Sequence, residues 1–282
     1  MENRINKENI SNTPAHAWIL DVDGVITHPE EKQVKHPEIL DEIIKRLKKK
    51  EPVALNTGRS MSWLDERVLG ALRERTEDSA ILSNFMACAE NGTVWRTFDA
   101  NGNATDNIDE KASIPSSVIE KARKIVEEKF SDTMFFDESK KTMVSIEMKD
   151  GITVKEFREH QTELDQELQE LIANTGIEQT HKIRASRIAS DIFGKQVDKH
   201  FGTRKILEWL RKKGISPNQF IVIGDSKTDT EISDEIKNHG LNVRFVFVGK
   251  QEELDIPKPN YDITLTTAHC DDGTLSFLSS FT

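Results

Sequence analysis

Apolar residues fall in short blocks along this chain, and several blocks of strand length run straight into a polar cluster. Trp18-Ile19-Leu20 is continuous and uncharged, the pattern of a strand covered on both faces, and it ends in Asp21-Val22-Asp23-Gly24. Leu40, Ile43, Ile44 and Leu47 then recur at helical spacing between Pro37 and Lys49, with the proline suited to a first turn. A second strand, Pro52-Val53-Ala54-Leu55, leads into Asn56-Thr57-Gly58-Arg59-Ser60 and a helix carrying Leu64, Val68 and Leu72 on one face. Strand, helix, strand, helix is the order of a parallel sheet.

The pattern changes near residue 85. Phe85 to Ala89, the turn Glu90-Asn91-Gly92 and Thr93-Val94-Trp95 predict a hairpin. Lys121–Phe130 predicts a helix, and Val144, Ile146 and Met148 alternate along a strand. A long amphipathic helix is expected from Thr153 to Ala173, followed by strands at His181–Ala185 and Arg187–Phe193. These elements suggest an antiparallel sheet backed by helices. The parallel pattern resumes with a helix at Gly202–Lys213 and the strand Phe220-Ile221-Val222-Ile223, which ends in Gly224-Asp225-Ser226-Lys227-Thr228-Asp229. A helix to about Lys237 and strands at Val243–Val248 and Ile263–Leu265 complete it.

The expected fold is therefore α/β: a Rossmann-like parallel-sheet core, residues 1–85 and 194–282, interrupted by an inserted α+β cap over 86–193. A length of 282 residues fits two units. The polar stretch Met1–Thr13 has no apolar signal region and is expected to be a mobile tail.

Asp21 and Asp23 stand two residues apart at a strand's end, so their side chains point the same way, and Gly24 permits a sharp turn. Close carboxylates repel unless a cation or a shared proton lies between them. A calcium loop does not fit, because Val25 and Thr27 stand where further oxygen ligands are needed. Three strands now end in polar clusters, at Asp21/Asp23, at Thr57/Gly58/Arg59 and at Asp225/Asp229. In an open parallel sheet those ends converge on one place. Taken singly, Thr57 and Ser60 could merely cap the helix after them, the lesser of the two readings.

Charge narrows the partners. A formal charge of −10 argues against nucleic acid and requires local cations for any anionic small substrate. Cys88 and Cys270 lie far apart with no C-x-x-C, so neither a disulfide framework nor a zinc site is indicated. His36, His160 and His181 are scattered without metal-ligand spacing. No apolar run is long enough to span a bilayer, and the cytoplasm is the expected compartment. Oligomeric state is not legible.

Together, Asp21-Val22-Asp23-Gly24-Val25, Thr57-Gly58-Arg59, Lys199 and Gly224-Asp225-Ser226-Lys227-Thr228-Asp229 resemble the motifs of the haloacid dehalogenase-like hydrolase superfamily. The likeness is to the group with an α/β cap between the second and third motifs, which includes Cof-type and sugar-phosphate phosphatases. Ala89-Glu90-Asn91-Gly92 is similar to a turn of that group. The resemblance implies a Mg²⁺-dependent phosphatase of a small phosphorylated metabolite, a sugar phosphate or derivative, working through an aspartyl-phosphate. It makes Asp21 the nucleophile, Asp23 the general acid and base, and Lys199 the cation beside the phosphoryl group. It gives Mg²⁺ an Asp21 oxygen, the Asp23 carbonyl and Asp225, with Asp229 orienting Lys199 or a metal-bound water. Thr57, Gly58 and Arg59 would bind the phosphate side of the substrate.

Two departures qualify the likeness. His200 follows Lys199 where that family has a small residue, and Lys195 is an alternative, although Lys199 opens the helix packed on the sheet. Asp229 follows the trehalose-phosphate phosphatases and Asn91 the Cof and phosphomannomutase pattern, so the substrate stays open. The cap helix is expected to be structural, with Lys182, Arg184 and Arg187 as candidate substrate contacts on the returning strands. A solvated basic edge is the plain alternative. The rival functions are a phosphomutase and a non-catalytic phospho-ligand module, and Asp23 counts against the second.

Overall fold

The computed structural model describes residues 13–254 and 259–281. Apart from Thr13, the expected tail lies outside the described residues. The strands are β1 (His16–Leu20), β2 (Val53–Asn56), β3 (Phe85–Ala89), β4 (Val94–Phe98), β5 (Ala104–Ile108) and β6 (Met134–Phe136). They continue with β7 (Val144–Met148), β8 (His181–Ala185), β9 (Ala189–Gly194), β10 (Gln219–Gly224), β11 (Val243–Phe247) and β12 (Asp262–Leu265). Eight of them form one sheet in the order β12-β11-β10-β1-β2-β3-β4-β5, parallel up to β3 and antiparallel beyond it.

The central strand explains the layering. On β1, Trp18 and Leu20 face a core shared with the helix Glu38–Lys48, while Ala17 and Ile19 face the helix Lys199–Lys212. Alternate side chains of β10 divide in the same way, Ile221 and Ile223 to one face, Phe220 and Val222 to the other. With both faces buried, the strands must read as unbroken apolar runs, as they do. Leu20 pairs with Ile223 on one side and Leu55 on the other, so the polar segments after β10, β1 and β2 emerge side by side.

A second sheet, β6-β7-β9-β8, is wholly antiparallel. One of its faces presents Val144, Ile146 and Ile192 to the helices Ser116–Ile125 and Val154–Asn174. Thr153 and Glu156 start the latter with a reciprocal cap.

The expected cap boundary at 86 is corrected by the larger sheet. β3 runs parallel to β2, with Ala54 opposite Met86, and the hairpin to β4 and β5 extends the same sheet. The reason is burial: every residue of β3 is covered, Met86 and Cys88 by one layer, Phe85, Ala87 and Ala89 by the other. Two elements had no periodicity to announce them. β5 is polar and exposed, and the C-terminal helix Cys270–Ser280 is held through Leu278, whose carbonyl accepts from Arg46 Nη2 at 2.8 Å. Among the described residues, no helix is long and apolar enough to cross a membrane.

The two sheets are stitched together at Glu90. It is buried, with a left-handed backbone at φ 48°, as is Asn91 at φ 54°. Its carboxylate accepts from the Lys141 and Thr142 amides at 2.9 Å and from the Thr142 hydroxyl at 2.6 Å. Ser139 Oγ donates to Ser60 Oγ at 2.8 Å and Lys140 Nζ to the Gly58 carbonyl at 2.6 Å. The segment before β7 is thus anchored on the loop after β2, and the second sheet roofs the strand ends.

Candidate active site

A cleft of about 490 Å³ lies between the strand ends and that roof. Its floor holds Asp21, Asp23, Thr57, Gly58, Arg59, Lys199 and Asp229, so three of the segments singled out by sequence meet Lys199 there. Lys199 Nζ donates to Asp21 Oδ1 and to the Asn56 carbonyl, both at 2.6 Å, and lies 2.9 Å from Asp229 Oδ1. Burial works against the ammonium charge, but Asp21 and Asp229 outweigh it and push its pKa up. Lys195, the alternative, is exposed.

The helix bearing Lys199 sits close to the sheet because it presents Gly202 there. A Cβ on Gly202 would lie 2.3 Å from Asn56 Oδ1, and one on Gly92 would lie 2.4 Å from the Gly202 Cα. Asn56 Nδ2 in turn donates to the Lys199 carbonyl at 2.9 Å.

The carboxylates gather on the other side of Asp21. Ligand atoms of Asp21, Asp225 and Asp229 lie within 4.8 Å of one another. Burial, followed by Asp229, pushes the Asp225 carboxyl up to about 7, and burial with these neighbours raises Asp21 despite Lys199. Asp229 Oδ2 accepts from the Ser226 amide and hydroxyl at 3.1 and 2.7 Å, whereas its buried Oδ1 has no hydrogen bond of good geometry. Three acids against one lysine, all oxygen donors, fit a hard divalent cation such as Mg²⁺.

Asp23 is placed differently from its neighbour. Both its oxygens are taken by Arg59, Nε to Oδ2 and Nη2 to Oδ1, each at 2.9 Å, and Lys32 Nζ lies 3.2 Å from Oδ1. Burial alone would raise its pKa, but these two cations hold its carboxyl below the usual range. Arg59 also stacks 4.7 Å from the Trp63 ring centroid. Thr57 Oγ1 accepts from the Arg59 amide at 3.2 Å, and Ser60 Oγ caps the next helix through the Trp63 amide. Ser60 is therefore the cap, while Thr57 closes a local turn and lines the cleft.

Overhead, Lys182 and Arg184 line the cleft and lie over Phe193, at 5.2 and 4.6 Å from its centroid. Arg187 is exposed and is not among the lining residues. His200 stands beside Asp198 and Glu231, at 3.5 and 3.6 Å. Sequence reasoning missed Lys32, Lys140, Glu147 and Asp191. Of these, Glu147 and Asp191 were signalled by alternation, since each is the one charged residue of its strand and stands on the side opposite the apolar residues packed on the helices, Val144 and Ile146 in β7 and Ile192 in β9.

No family model matches the chain, and no curated protein does. Solved structures do. A haloacid dehalogenase-like hydrolase from Bacteroides thetaiotaomicron is 14% identical, with a TM-score of 0.61 over 95% of this chain and 99% of that one. The chain has the haloacid dehalogenase-like hydrolase fold. Trehalose-6-phosphate phosphatase from Aspergillus fumigatus is 15% identical, with a TM-score of 0.55 over 95% of this chain and 98% of that one. Sucrose-phosphatase from Synechocystis, in complex with sucrose and phosphate, is also 15% identical, with a TM-score of 0.53 over the same shares.

Within this haloacid dehalogenase-like frame, Gly24 makes the carboxylate cluster sterically feasible. Its φ is +69°, and a Cβ there would lie 2.0 Å from Asp225 Oδ2. Gly24→Ala is expected to displace the Asp225 carboxylate and so weaken any binding of a divalent cation by this cluster, read by calorimetric titration of the chain with Mg²⁺. An unchanged Mg²⁺ titration would show that Asp225 is not a ligand.

Proposed function

We propose that this chain is a Mg²⁺-dependent phosphatase of a small phosphorylated metabolite, a sugar phosphate or derivative, acting through an aspartyl-phosphate on Asp21. The observation that carries this reading is Asp21 itself. It is a nearly buried carboxylate bonded to Lys199 at 2.6 Å, beside two further acids and below an open cleft. A purely structural ion pair does not call for that surplus of acids or for a cleft above it.

The residues divide the work as follows. Asp21 attacks phosphorus, the P–O bond to the alcohol breaks, and a carboxylate is a competent nucleophile for that step. Lys199 offsets charge between Asp21 and the phosphoryl oxygens, and Asp229, 2.9 Å away, holds its ammonium in place. Thr57 and the loop amides at the start of the following helix are suited to the phosphate oxygens. Asp23 gives its proton to the leaving alcohol and later takes one from the water that cleaves the acyl phosphate. With Arg59 on both oxygens it stands here as the anion, the proton-accepting form, so acid catalysis requires Arg59 to move. Asp21, Asp225 and Asp229 would hold Mg²⁺, which supplies neutralisation of negative charge on the transferring group.

The direct test is phosphate release from a panel of phosphorylated metabolites, with Mg²⁺ and with EDTA. Release that requires Mg²⁺ supports the reading. Isomerisation without release would instead make the chain a phosphomutase. Asp23→Asn is expected to slow turnover about 10²–10⁴-fold while leaving Mg²⁺ affinity nearly unchanged. A loss confined to Mg²⁺ affinity would reassign Asp23 to the metal.

A further inference from the structure

The roof of the cleft is a two-sided sheet whose inner face carries a pattern of its own. Ser145 and Glu147 on β7, Ala189, Asp191 and Phe193 on β9, and Lys182 and Arg184 on β8 all line the cleft. They occupy alternate positions, opposite the face packed on the helices.

Nearly every polar group on this inner face is already engaged. Asp191 accepts from Ser145 Oγ at 2.6 Å and lies 3.5 Å from Arg184 Nη2. Lys182 and Arg184 rest on Phe193, and Lys140 is spent on the Gly58 carbonyl. Glu147 stands apart. Among the described residues its half-buried carboxylate makes no hydrogen bond and no ion pair.

The surroundings say what it is free to bind. Arg59 and Lys140 face it with positive charge, Asp137 and Asp191 with negative, and Arg59 has both its forks on Asp23. The local field is therefore mixed, which favours neutral hydrogen-bond donors over a cationic group. Its neighbour in register on β9 is Ala189, which also lines the cleft, so on that side only a methyl group bounds the part of the cleft beside the carboxylate; this part is the slot.

We propose that Glu147 is the specificity-determining acceptor of this cleft, taking hydrogen bonds from hydroxyls of the alcohol that bears the phosphate, in the slot beside Ala189. The proposal rests on the phosphatase reading above. It assigns the recognition to an acid, whereas the basic residues Lys182 and Arg184 were the sequence candidates. A carboxylate accepts two or more hydroxyls at once, and a leaving group without them leaves it unpaired, which is how a polar site rejects an analogue.

The test uses the full chain with Mg²⁺ and compares kcat/KM for hexose and pentose monophosphates with that for 4-nitrophenyl phosphate. In Glu147→Ala, the ratio of the best sugar phosphate to 4-nitrophenyl phosphate is expected to fall about 10–100-fold, the worth of one hydrogen bond to a charged group. Glu147→Gln keeps an acceptor oxygen and should lose less. Ala189→Leu fills the slot without touching charge and should raise KM for the sugar phosphate, which also covers the case in which the glutamate variants fail to fold. An unchanged ratio in all three variants, with active wild type, overturns the proposal and leaves the phosphatase reading standing. A wild type that prefers 4-nitrophenyl phosphate to every sugar phosphate also overturns it. If wild type releases phosphate from no ester, the phosphatase reading falls, and this proposal with it.

Discussion

Asp21→Asn is expected to abolish phosphate release, with a loss on the order of 10⁴–10⁶-fold, the range seen when a covalent nucleophile is removed. Two effects act together. An amide oxygen is a poor nucleophile, and the cluster with Asp225 and Asp229 loses one of its anionic members. The fold should persist. Asp21 sits at the end of β1 and not within it, and the hydrogen bond its backbone N–H donates to the Ile223 carbonyl, 3.0 Å, does not involve the side chain. Circular dichroism and a thermal melt check the fold; phosphate release in Mg²⁺ checks the chemistry. In wild type, acid quenching during turnover should trap phosphate on the chain, and in the variant it should not. Turnover near the wild-type rate in Asp21→Asn would remove Asp21 from the nucleophile's role.

The floor of this site was legible because it is made by rules that act locally. Strands covered on both faces must be apolar throughout, so Trp18-Ile19-Leu20 and Phe220-Ile221-Val222-Ile223 announce themselves, and the polar residues that end them stand out. Adjacent parallel strands then carry those endings to one edge. Lys199 was also legible, since it opens an amphipathic helix; its distance from Asp21 was not, and that distance depends on Gly202 and Asn56, far apart in sequence.

What the sequence did not reveal depends on long-range pairing. The segment Phe85–Ala89 reads as the first strand of a hairpin, and in the structure it is that and one more parallel strand as well. Only its complete burial between two layers decides that it belongs to the large sheet. β5 gave no signal because an edge strand with exposed side chains needs no hydrophobic period. Arg59 was placed by sequence on the substrate, and the structure sets its guanidinium on Asp23 across 36 positions. Glu90 looked like a turn residue, yet its carboxylate reaches the amides of Lys141 and Thr142. No local pattern encodes such a bond.

Lys199→Ala is expected to harm stability and activity together, and to show Mg²⁺ dependence in both. The ammonium is the cation shared by Asp21 and Asp229 in a nearly buried site, at 2.6 and 2.9 Å. Removing one partner from a buried ion pair leaves the others desolvated and uncompensated, which costs about 3–5 kcal/mol. The Asn56 carbonyl loses its donor as well. Phosphate release should fall about 10²–10³-fold, the usual cost of losing one preorganised electrostatic partner of the reacting group. The distinguishing measurement is the melting temperature with and without Mg²⁺. A cation that binds only the folded state stabilises it, and without the lysine it meets less repulsion and more unbalanced acid. Mg²⁺ should therefore raise Tm more in Lys199→Ala than in wild type, without restoring the rate, because the acids regain a counter-charge and the phosphoryl group does not. Equal Mg²⁺ shifts in the two proteins would mean that Asp21, Asp225 and Asp229 do not share one cation beside Lys199.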